Sequence, residues 1–423
     1  MKVIVLGAGI LGVCSAWYLR EAGHDVVLVD RQPGAGLETS YANGAQISVS
    51  FCEPWANAWV PIKVAKWLLR DDSPLLFRPR LEWAQMRYGL AFLTQCNTAS
   101  FERNVEELVQ LGRYSHARLK ELVAATGIEY NRLEKGILHF FSSQQDLDAG
   151  AAGAEVMRRH GVDRRVLSRE DVLRVEPALT TFGHRIFGGT YTPSDESGDA
   201  LVFTQKLAQL AAERGVEMRF STTILSLDKQ GQQIGGVRVR GAEGQVETLK
   251  ADAYVVALAS YAPALVNPVA DCLNIYPTKG YSATLRLKRP EAASTVSLLD
   301  DTRKIAISRL GDYIRIAGTA EMAGLDLNLD SPTARTRCAA LVNRYEELFP
   351  GVAELSEPNF WTGLRPSTPT NIPYLGRSRK LSNLWLNCGH GTLGWTHGAG
   401  SGHALAELIS GRQPETSFTF YAT

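Results

Sequence analysis

Three glycines near the start of the chain have the spacing of a phosphate-binding turn. Gly7, Gly9 and Gly12 follow the apolar run VIVL, and apolar residues with helical spacing come after them. Glycine at these positions permits a tight turn, lets the backbone approach a pyrophosphate, and lets a helix pack closely on the preceding strand. The first turn of that helix offers unpaired N–H groups and the positive end of its dipole. The motif therefore predicts a strand, a turn and a helix that bind a dinucleotide.

A carboxylate at the end of the next apolar run fits the same site. Asp30 closes the segment DVVLVD, which is typical of a second buried parallel strand. A carboxylate there can accept hydrogen bonds from ribose hydroxyls, and it disfavours a ribose phosphate. The sequence thus predicts FAD or NAD rather than NADP. A glycine-rich turn without a ligand is the alternative, but it does not account for the strand, the helix and the acid together.

The composition is typical of a soluble globular protein. The 423 residues suffice for two or three domains, and the net charge of +1 provides no field that would attract nucleic acid. Six cysteines are scattered, with no C-x-x-C pair and no metal-ligand spacing. This pattern favours free thiols in a reducing compartment. We therefore expect no metal site, no nucleic-acid partner and a cytoplasmic protein.

The middle of the chain has a different residue pattern from the α/β opening. Up to about residue 330, segments such as YSATLRLK, KIAISRL and YIRIAGT read as antiparallel strands. The last part then returns to a strand, a glycine turn and a helix. The order predicts an α/β fold plus an antiparallel sheet domain inserted into a cofactor-binding domain.

The stretch from Leu381 to Ala406 contains no Lys, Arg, Asp or Glu. It has the length of a membrane span, but Gly, Ser, Thr, Asn and His fill it, so we do not interpret it as one. Leu384 to Cys388 predicts a strand, GHGTLG a bare loop, and the residues from about Leu393 a helix. Three glycines on one face of that helix would let a neighbouring backbone approach: Gly394, Gly398 and Gly402.

Five segments occur in the order typical of one flavoenzyme family. They are the opening glycine motif, ETSYANGAQIS (Glu38 to Ser48), YPTKGYS (Tyr276 to Ser282), WTGLRPSTPTNIPYLG (Trp361 to Gly376) and NCGHGTLGWT (Asn387 to Thr396). Over nearly its whole length the chain resembles the bacterial, small-subunit type of FAD-dependent D-amino acid dehydrogenase, within the glycine oxidase and D-amino acid oxidase group.

The resemblance implies a Rossmann-type FAD-binding domain with an interleaved substrate-binding domain. Together with the order of segments, it assigns residues 1–85, 150–225 and 335–423 to the FAD-binding domain. Residues 86–149 and 226–334 are then expected to form the substrate-binding domain.

The resemblance also implies a reaction. A D-amino acid with a neutral amine loses its Cα hydrogen as hydride to flavin N5, and the imine hydrolyses to a 2-oxo acid and ammonia. The electrons pass to an acceptor other than oxygen, a quinone or another redox subunit. Two alternatives stay open: a related amine oxidoreductase acting on D-hydroxyproline, glycine or sarcosine, and a non-catalytic FAD-binding subunit that supports a partner enzyme.

Arg365 in the GLRP segment is the expected anchor of the substrate carboxylate, because a guanidinium binds carboxylates bidentately and stays charged. Gln46 and Ser48 are expected to face the flavin ring and the substrate. A tyrosine hydroxyl could assist, although a strand aromatic in the core is the simpler interpretation of each candidate: Tyr276, Tyr281 and Tyr313.

The residues expected to contact FAD come from the glycine motif, the loops after Asp30, two strand ends and the closing loop. They are Gly7, Ala8, Gly9, Ile10, Leu11, Gly12, Asp30, Arg31, Thr39, Ser40, Asn43, Gln46, Ile47, Ile224, Ala259, Gly389, His390, Gly391, Thr392, Leu393 and Gly394. The helix after this loop would direct its positive end at the pyrimidine side of the flavin and stabilise negative charge on the reduced ring. The missing charges of the closing stretch fit that role.

Four positions depart from the family pattern. The usual Ala-Gly before Gln46 is reversed, and Ala259 stands where a glycine is common. Phe51 and Arg303 each occupy a position where relatives carry tyrosine. The last two leave the substrate side chain open, and Arg303 would favour a polar or acidic substrate.

A basic, aromatic segment follows soon after Ser48 in the sequence. It is PWANAWVPIKVAKWLLR, with Trp55, Trp59, Lys63, Lys66, Trp67 and Arg70. Such a segment can lie on a membrane surface, here the inner face of the cell membrane. A helix packed against the substrate domain or a partner subunit is an equal alternative.

Overall fold

The computed structural model describes residues 1–60 and 75–422. Its strands are β1 (Lys2–Leu6), β2 (Asp25–Val29), β3 (Gln46–Ile47), β4 (Leu75–Phe77), β5 (Ile137–Phe141), β6 (Arg165–Ser168), β7 (Gly188–Thr192), β8 (Glu196–Ser197), β9 (Glu217–Arg219), β10 (Thr223–Gln230), β11 (Gln233–Arg240), β12 (Val246–Leu249), β13 (Ala253–Val256), β14 (Tyr276–Arg286), β15 (Ser297–Asp300), β16 (Ile305–Leu310), β17 (Tyr313–Met322), β18 (Asn359–Ser367), β19 (Tyr374–Arg377) and β20 (Leu384–Cys388). Its α-helices are α1 (Ile10–Glu21), α2 (Trp83–Gln95), α3 (Thr98–Thr126), α4 (Gln144–Arg159), α5 (Arg169–Val175), α6 (Ala200–Glu213), α7 (Ala262–Val266), α8 (Pro332–Leu348) and α9 (Gly394–Ile409).

The first large sheet has the strand order β19-β20-β13-β1-β2-β9. Its strands are parallel except β19, which is antiparallel to β20 at one edge. β1 is apolar on both sides because both faces of the sheet are covered. Val3 and Val5 belong to the core formed with α1, α6 and α9, whereas Ile4 and Leu6 belong to the core formed with α7 and the three-stranded sheet β10-β11-β12.

The second large sheet has the order β18-β14-β17-β16-β15-β5-β7-β6, with β4 beside β17. Its neighbouring strands are antiparallel, except that β15 is parallel to β5 and β17 is parallel to β4. α8 covers one face, where Leu341 and Tyr345 share a core with Ile307 and Ile316. The predicted class, an α/β fold plus an antiparallel sheet, is confirmed.

Some strands depart from the predicted domain ranges. β13 comes from residues 226–334, yet it joins the parallel sheet between β20 and β1. β6, β7 and β18 come from ranges predicted for the FAD-binding domain, yet they join the second sheet. Partners distant in sequence decide which sheet a short apolar strand joins, and the pattern of one strand does not reveal them.

The uncharged closing stretch forms β20 and α9, as predicted. α9 is wedged between α1 and α3: a Cβ on Gly402 would lie 2.6 Å from the carbonyl carbon of Cys14, and one on Gly400 would lie 2.5 Å from Cα of Ser115. Gly400 was not among the predicted contact glycines. No helix in the described ranges is long and apolar enough to cross a membrane.

Candidate active site

A cavity of about 1040 Å³ lies where the carboxyl-terminal edge of the parallel sheet meets the second sheet. One side is formed by the β1–α1 turn, the end of β2, the loop before β3 and the β20–α9 connection. The other side includes residues of β14, β16, β17 and β18. The cavity therefore joins the predicted nucleotide site to the predicted substrate site.

The glycine motif is held by contacts that leave no room for side chains. Gly7 has a φ of +107°, and a Cβ there would lie 2.6 Å from the carbonyl oxygen of Ala257. A Cβ on Gly12 would lie 1.8 Å from the carbonyl oxygen of Gly7. The start of α1 lines the cavity, and the N–H of Ile10 donates to Ser40 Oγ at 3.1 Å. This turn presents backbone and a helix N-terminus to the cavity, as phosphate binding requires.

Asp30 is oriented by its own neighbours. Its carboxylate accepts hydrogen bonds from the N–H groups of Ala8 (2.6 Å) and Gln32 (2.8 Å). Burial raises the pKa of Asp30 above its ordinary value, against the opposing effect of these two bonds. Next to it, Arg31 pairs with Glu38 at 2.6 Å. The carboxylate lines the cavity with lone pairs left for further donors, such as ribose hydroxyls.

The start of α9 forms the end of the cavity opposite Asp30. β2 and β20 are three strand spacings apart, about 14 Å. Thr396 Oγ1, in the first turn of α9, accepts from the N–H of Ser48 at 3.1 Å. His390 Nε2 lies 3.0 Å from Ser401 Oγ, and burial lowers the pKa of His390 well below its ordinary value, so its ring is neutral. This end therefore carries the helix dipole and no side-chain charge from the closing loop.

Arg365 on β18 reaches across β14 to β17. Its Nη1 donates to the carbonyl oxygen of Thr319 at 2.9 Å, and its guanidinium lies over Gly280, where a Cβ would be 2.5 Å from Cζ. In the ranges that the structure describes, no acidic side chain forms an ion pair with Arg365. Burial lowers the pKa of Arg365 to about 10, so the group stays charged at neutral pH. A charged guanidinium with four donors to spare suits an anion in the cavity.

The predicted tyrosines do not present free hydroxyls to the cavity. The Tyr281 ring lines it, but the hydroxyl donates to the Glu321 carboxylate, and burial together with this bond raises the pKa of Tyr281. Tyr276 does not line the cavity, and its hydroxyl accepts from Gln85 Nε2 at 3.0 Å. Gln85 itself lines the cavity. The core interpretation of these two aromatics therefore agrees with their contacts.

Two other candidates lie outside the cavity. Arg303 is exposed in the turn between β15 and β16, where its N–H donates to Asp300 Oδ1 at 3.2 Å. Tyr313 is 49% exposed at the start of β17. Lys304, the neighbour of Arg303, borders the cavity, but its side chain is 49% exposed and its Nζ pairs with Asp301 at 2.8 Å. The family pattern alone does not show that this turn exposes both residues.

The Gln46 amide has a fixed orientation. Its Nε2 donates to Ser297 Oγ (3.0 Å) and to the carbonyl oxygen of Leu298 (3.1 Å). Because a carbonyl oxygen can only accept, Nε2 must be on this side. Gln46 lines the cavity, and its Oε1 is left as an acceptor for a ligand.

Two departures from the family pattern put alanine in left-handed backbone. Ala45 has a φ of +59° and Ala259 a φ of +47°, and both line the cavity. An L-residue there costs about 1–2 kcal/mol relative to glycine. Left-handed backbone is a physical reason to expect glycine at these positions, and the two alanines of this chain carry strain.

Three residues that were predicted to contact FAD do not line the cavity. Gly12 packs α1 on the turn, Ile47 pairs in β3 with Glu196, and Gly389 has a φ of +86°. Sequence reasoning missed two residues, Gly280 and Asp195. Gly280 packs under the Arg365 guanidinium, and Asp195 is a buried acid that accepts a hydrogen bond from Ser48. Each contact joins residues far apart in the sequence, so neither glycine spacing nor a polar turn reveals it. The other predicted FAD residues line the cavity: Gly7, Ala8, Gly9, Ile10, Leu11, Asp30, Arg31, Thr39, Ser40, Asn43, Gln46, Ile224, Ala259, His390, Gly391, Thr392, Leu393 and Gly394.

Comparison with known proteins identifies the family. The profile of the DAO family, described as FAD dependent oxidoreductase, matches residues 2–408. The chain belongs to this family. It is 51% identical to the D-amino acid dehydrogenase of Dechloromonas aromatica (strain RCB), over 99% of both chains. It is 46% identical to the D-amino acid dehydrogenase of Cereibacter sphaeroides (strain ATCC 17029 / ATH 2.4.9), over 98% of this chain and 93% of the relative.

Solved structures of a glycine oxidase and an L-proline dehydrogenase share the fold. Glycine oxidase from Bacillus cereus ATCC 14579 matches with a TM-score of 0.72 and 22% identity, covering 98% of this chain and 96% of that one. L-proline dehydrogenase from P. horikoshii matches with a TM-score of 0.74 and 16% identity, covering 99% and 95%. At these identities the likeness shows the fold alone. The predicted family resemblance, and with it an enzyme of the oxidoreductase class, is confirmed.

The residues of this FAD-dependent oxidoreductase fit its cofactor. The cradle at Gly7 and Gly12 excludes side chains, Asp30 offers oriented acceptors, and the cavity extends along the sheet edge to α9. In the described ranges, no group of three or more His, Cys, Asp or Glu is placed to hold a metal ion. The first turn of α1 would hold the pyrophosphate, Asp30 a ribose, and the β20–α9 connection the ring system.

Proposed function

We propose that the protein oxidises free D-amino acids to 2-oxo acids and ammonia. FAD, when bound, supplies the hydride acceptor. The substrate loses its Cα hydrogen with two electrons and a proton from nitrogen, and the imine adds water and releases ammonia. Arg365 carries the proposal, as a charged guanidinium on the cavity wall that forms no ion pair within the described ranges. The D configuration is supported by the names of the relatives at 46–51% identity.

The protein's own groups would bind and orient the substrate. Arg365 would grip the carboxylate bidentately, since only one of its donors is used by Thr319. The Oε1 atom of Gln46 would accept from the substrate amine. Because the hydroxyls of Tyr276 and Tyr281 are engaged with protein partners, carboxylate binding would depend mainly on Arg365.

Anaerobic reduction of the bound flavin tests the proposal. Purified protein is mixed with D-alanine, L-alanine, glycine or D-hydroxyproline, and flavin absorbance is followed. We expect bleaching by D-alanine and none by L-alanine. Bleaching by glycine or D-hydroxyproline alone would select the related amine oxidoreductase, and a loaded protein that no amino acid reduces would favour the non-catalytic subunit.

We propose further that the electrons pass to a quinone at a membrane surface. Support comes from α2, whose residues at spacings of three and four are exposed on one face: Trp83, Met86, Leu90 and Leu93, with Leu81 just before them. The same helix lines the cavity through Gln85, Tyr88 and Phe92. A bilayer against this exposed apolar face would bring a lipophilic acceptor to the cavity wall.

The basic, aromatic segment contributes less to this proposal. Trp59 is 70% exposed, whereas Trp55 lines the cavity and its N–H donates to Asn371 Oδ1 at 2.9 Å. Lys63, Lys66, Trp67 and Arg70 lie outside the described residues.

Vesicle binding and reoxidation test the acceptor. Flavin reduced by D-alanine should be reoxidised faster by a soluble quinone analogue than by oxygen. Leu90→Glu should weaken sedimentation with anionic phospholipid vesicles while flavin reduction by D-alanine is retained. Val246→Glu, at a residue 50% exposed on β12, is the matched control and should leave sedimentation unchanged. Faster reoxidation by oxygen, or equal sedimentation of Leu90→Glu and the wild type, would count against the proposal.

A further inference from the structure

The cavity wall that follows β3 is held by a buried carboxylate. Asp195, in the turn between β7 and β8, has no exposed surface. Its Oδ1 accepts from the N–H groups of Val49 (3.0 Å) and Ser50 (3.4 Å). Its Oδ2 accepts from the hydroxyls of Ser48 (2.7 Å) and Ser50 (2.5 Å). One short segment thus supplies four donors to one carboxylate.

The four donors of this carboxylate are all neutral groups. Within the described ranges, no cationic side chain forms an ion pair with Asp195. Arg164, which donates to the carbonyl oxygen of Ser50 at 3.3 Å, is paired with Glu53 at 2.7 Å. Burial raises the pKa of Asp195, and the four donors oppose this effect. Donors on both oxygens favour the ionised form.

Ser48 links this charge to the end of the cavity opposite Asp30. Its hydroxyl reaches Asp195, its N–H reaches Thr396 in the first turn of α9, and both Ser48 and Thr396 line the cavity. Because Asp30 suits the ribose at the other end, this end would receive the ring system of FAD. Two opposing influences therefore meet here: the positive end of α9 and a buried negative charge.

We propose that Asp195 is a positioning residue whose negative charge lowers the reduction potential of the bound FAD. Reduction adds negative charge to the ring, and a nearby buried carboxylate raises the free energy of that reduced form. The α9 dipole acts in the opposite sense. A lower potential favours the onward transfer of electrons to the acceptor. The inference rests on the FAD binding and substrate oxidation proposed above.

Asp195→Asn separates the charge from the geometry. The amide Oδ1 still accepts from both N–H groups, and Nδ2 donates to the serine hydroxyls, which can act as acceptors. We expect this variant to retain FAD and its melting temperature. Its flavin equilibrium against a reference dye should shift towards the reduced form by tenfold or more, about 30 mV for a two-electron couple.

Asp271→Asn is the matched control. Asp271 is also a buried carboxylate that accepts from a hydroxyl, that of Ser378, and from a backbone N–H, that of Arg379. Asp271 does not line the cavity. The reduction potential of FAD bound to Asp271→Asn should therefore equal that in the wild type. An unchanged potential in loaded Asp195→Asn, or equal shifts in both variants, would overturn the inference.

Ser48→Ala keeps the inference testable if Asp195→Asn does not fold or hold FAD. This variant removes one donor that offsets the charge and keeps the three donors from Val49 and Ser50 that favour the ionised form, so the potential should fall. A constant or higher potential in Ser48→Ala would then overturn the inference. Wild-type protein that binds no FAD would refute the proposed function instead.

Discussion

Arg365→Ala should weaken substrate binding by two to four orders of magnitude. The guanidinium uses one donor on Thr319 and has four left. A hydrogen bond to a charged group contributes about 1.5–3 kcal/mol, so the loss of two to a substrate carboxylate costs about 3–6 kcal/mol. That free energy corresponds to about 10²–10⁴ in kcat/KM. Arg365→Lys keeps the charge but loses the bidentate geometry, so its kcat/KM should lie between those of the wild type and Arg365→Ala.

The assay separates anchoring from general damage. Propanoate, a carboxylate without an amine, should perturb the flavin spectrum of the wild type and not that of Arg365→Ala. FAD content should be the same in both proteins, since Arg365 is not in the nucleotide-binding turn. Unchanged D-alanine kinetics together with unchanged propanoate binding would refute the assignment.

Stability gives an independent check on the same reasoning. Arg365 is an enclosed charge that forms no ion pair within the described ranges, so Arg365→Met should leave the melting temperature of the FAD-free protein unchanged or raise it. Arg344 is a buried arginine that pairs with Asp300 at 2.6 Å. Arg344→Met should therefore destabilise by about 3–5 kcal/mol, because it leaves the Asp300 carboxylate unpaired. Equal destabilisation in the two variants would show that the protein stabilises the Arg365 charge as strongly as Asp300 stabilises that of Arg344.

Three more perturbations test other parts of the site. Gly280→Ala, whose Cβ would meet the Arg365 guanidinium at 2.5 Å, should raise KM for the substrate at least tenfold without loss of FAD. Ala259→Gly relieves left-handed backbone and should raise the free energy of unfolding by about 1 kcal/mol. Burial alone would raise the pKa of Glu196, but its histidine and arginine partners outweigh this and hold it at about 2. Stability from these pairs is present above the ordinary pKa of 4.5 and is lost as the pH falls towards 2, so Glu196→Gln should flatten the acid side of the unfolding curve.

For each of these three expectations, one result would contradict the reasoning. Loss of FAD by Gly280→Ala would mean that the substitution disturbs more than Arg365. A lower melting temperature for Ala259→Gly would show that the alanine methyl contributes packing that exceeds the strain. Parallel acid unfolding curves for Glu196→Gln and the wild type would show that other carboxylates dominate.

The geometry of the predicted nucleotide half of the site could be anticipated from the sequence because its constraints are local. Gly7 and Gly12 are five positions apart and contact each other, so the spacing itself encodes the close approach. Asp30 receives its N–H donors from Gln32, two residues on, and from Ala8 on the neighbouring strand's turn. The uncharged stretch that forms α9 was likewise readable, since a missing charge is visible without a structure.

The geometry of the predicted substrate half could be anticipated only in part. Family motifs pointed to Arg365 and to Tyr281, and both line the cavity. The motifs did not show that Arg303 lies in an exposed turn outside the cavity. They also did not show that the Tyr281 hydroxyl is already bonded to Glu321. Side-chain direction at a hairpin depends on register, and register is set by pairing with other strands.

The sequence by itself determined the glycine turn, the acid at the end of β2 and the class of the fold, because steric exclusion and apolar periodicity act between near neighbours. Only the tertiary structure decided which polar groups have partners. The Thr319 acceptor of Arg365 is 46 positions away, and Asp195 is 147 positions from Ser48. Whether a buried charge is paired depends on contacts across such separations. The Arg365 guanidinium, which has no ion pair among the described residues, and the Asp195 carboxylate with its four donors therefore emerge only when the two sheets come together.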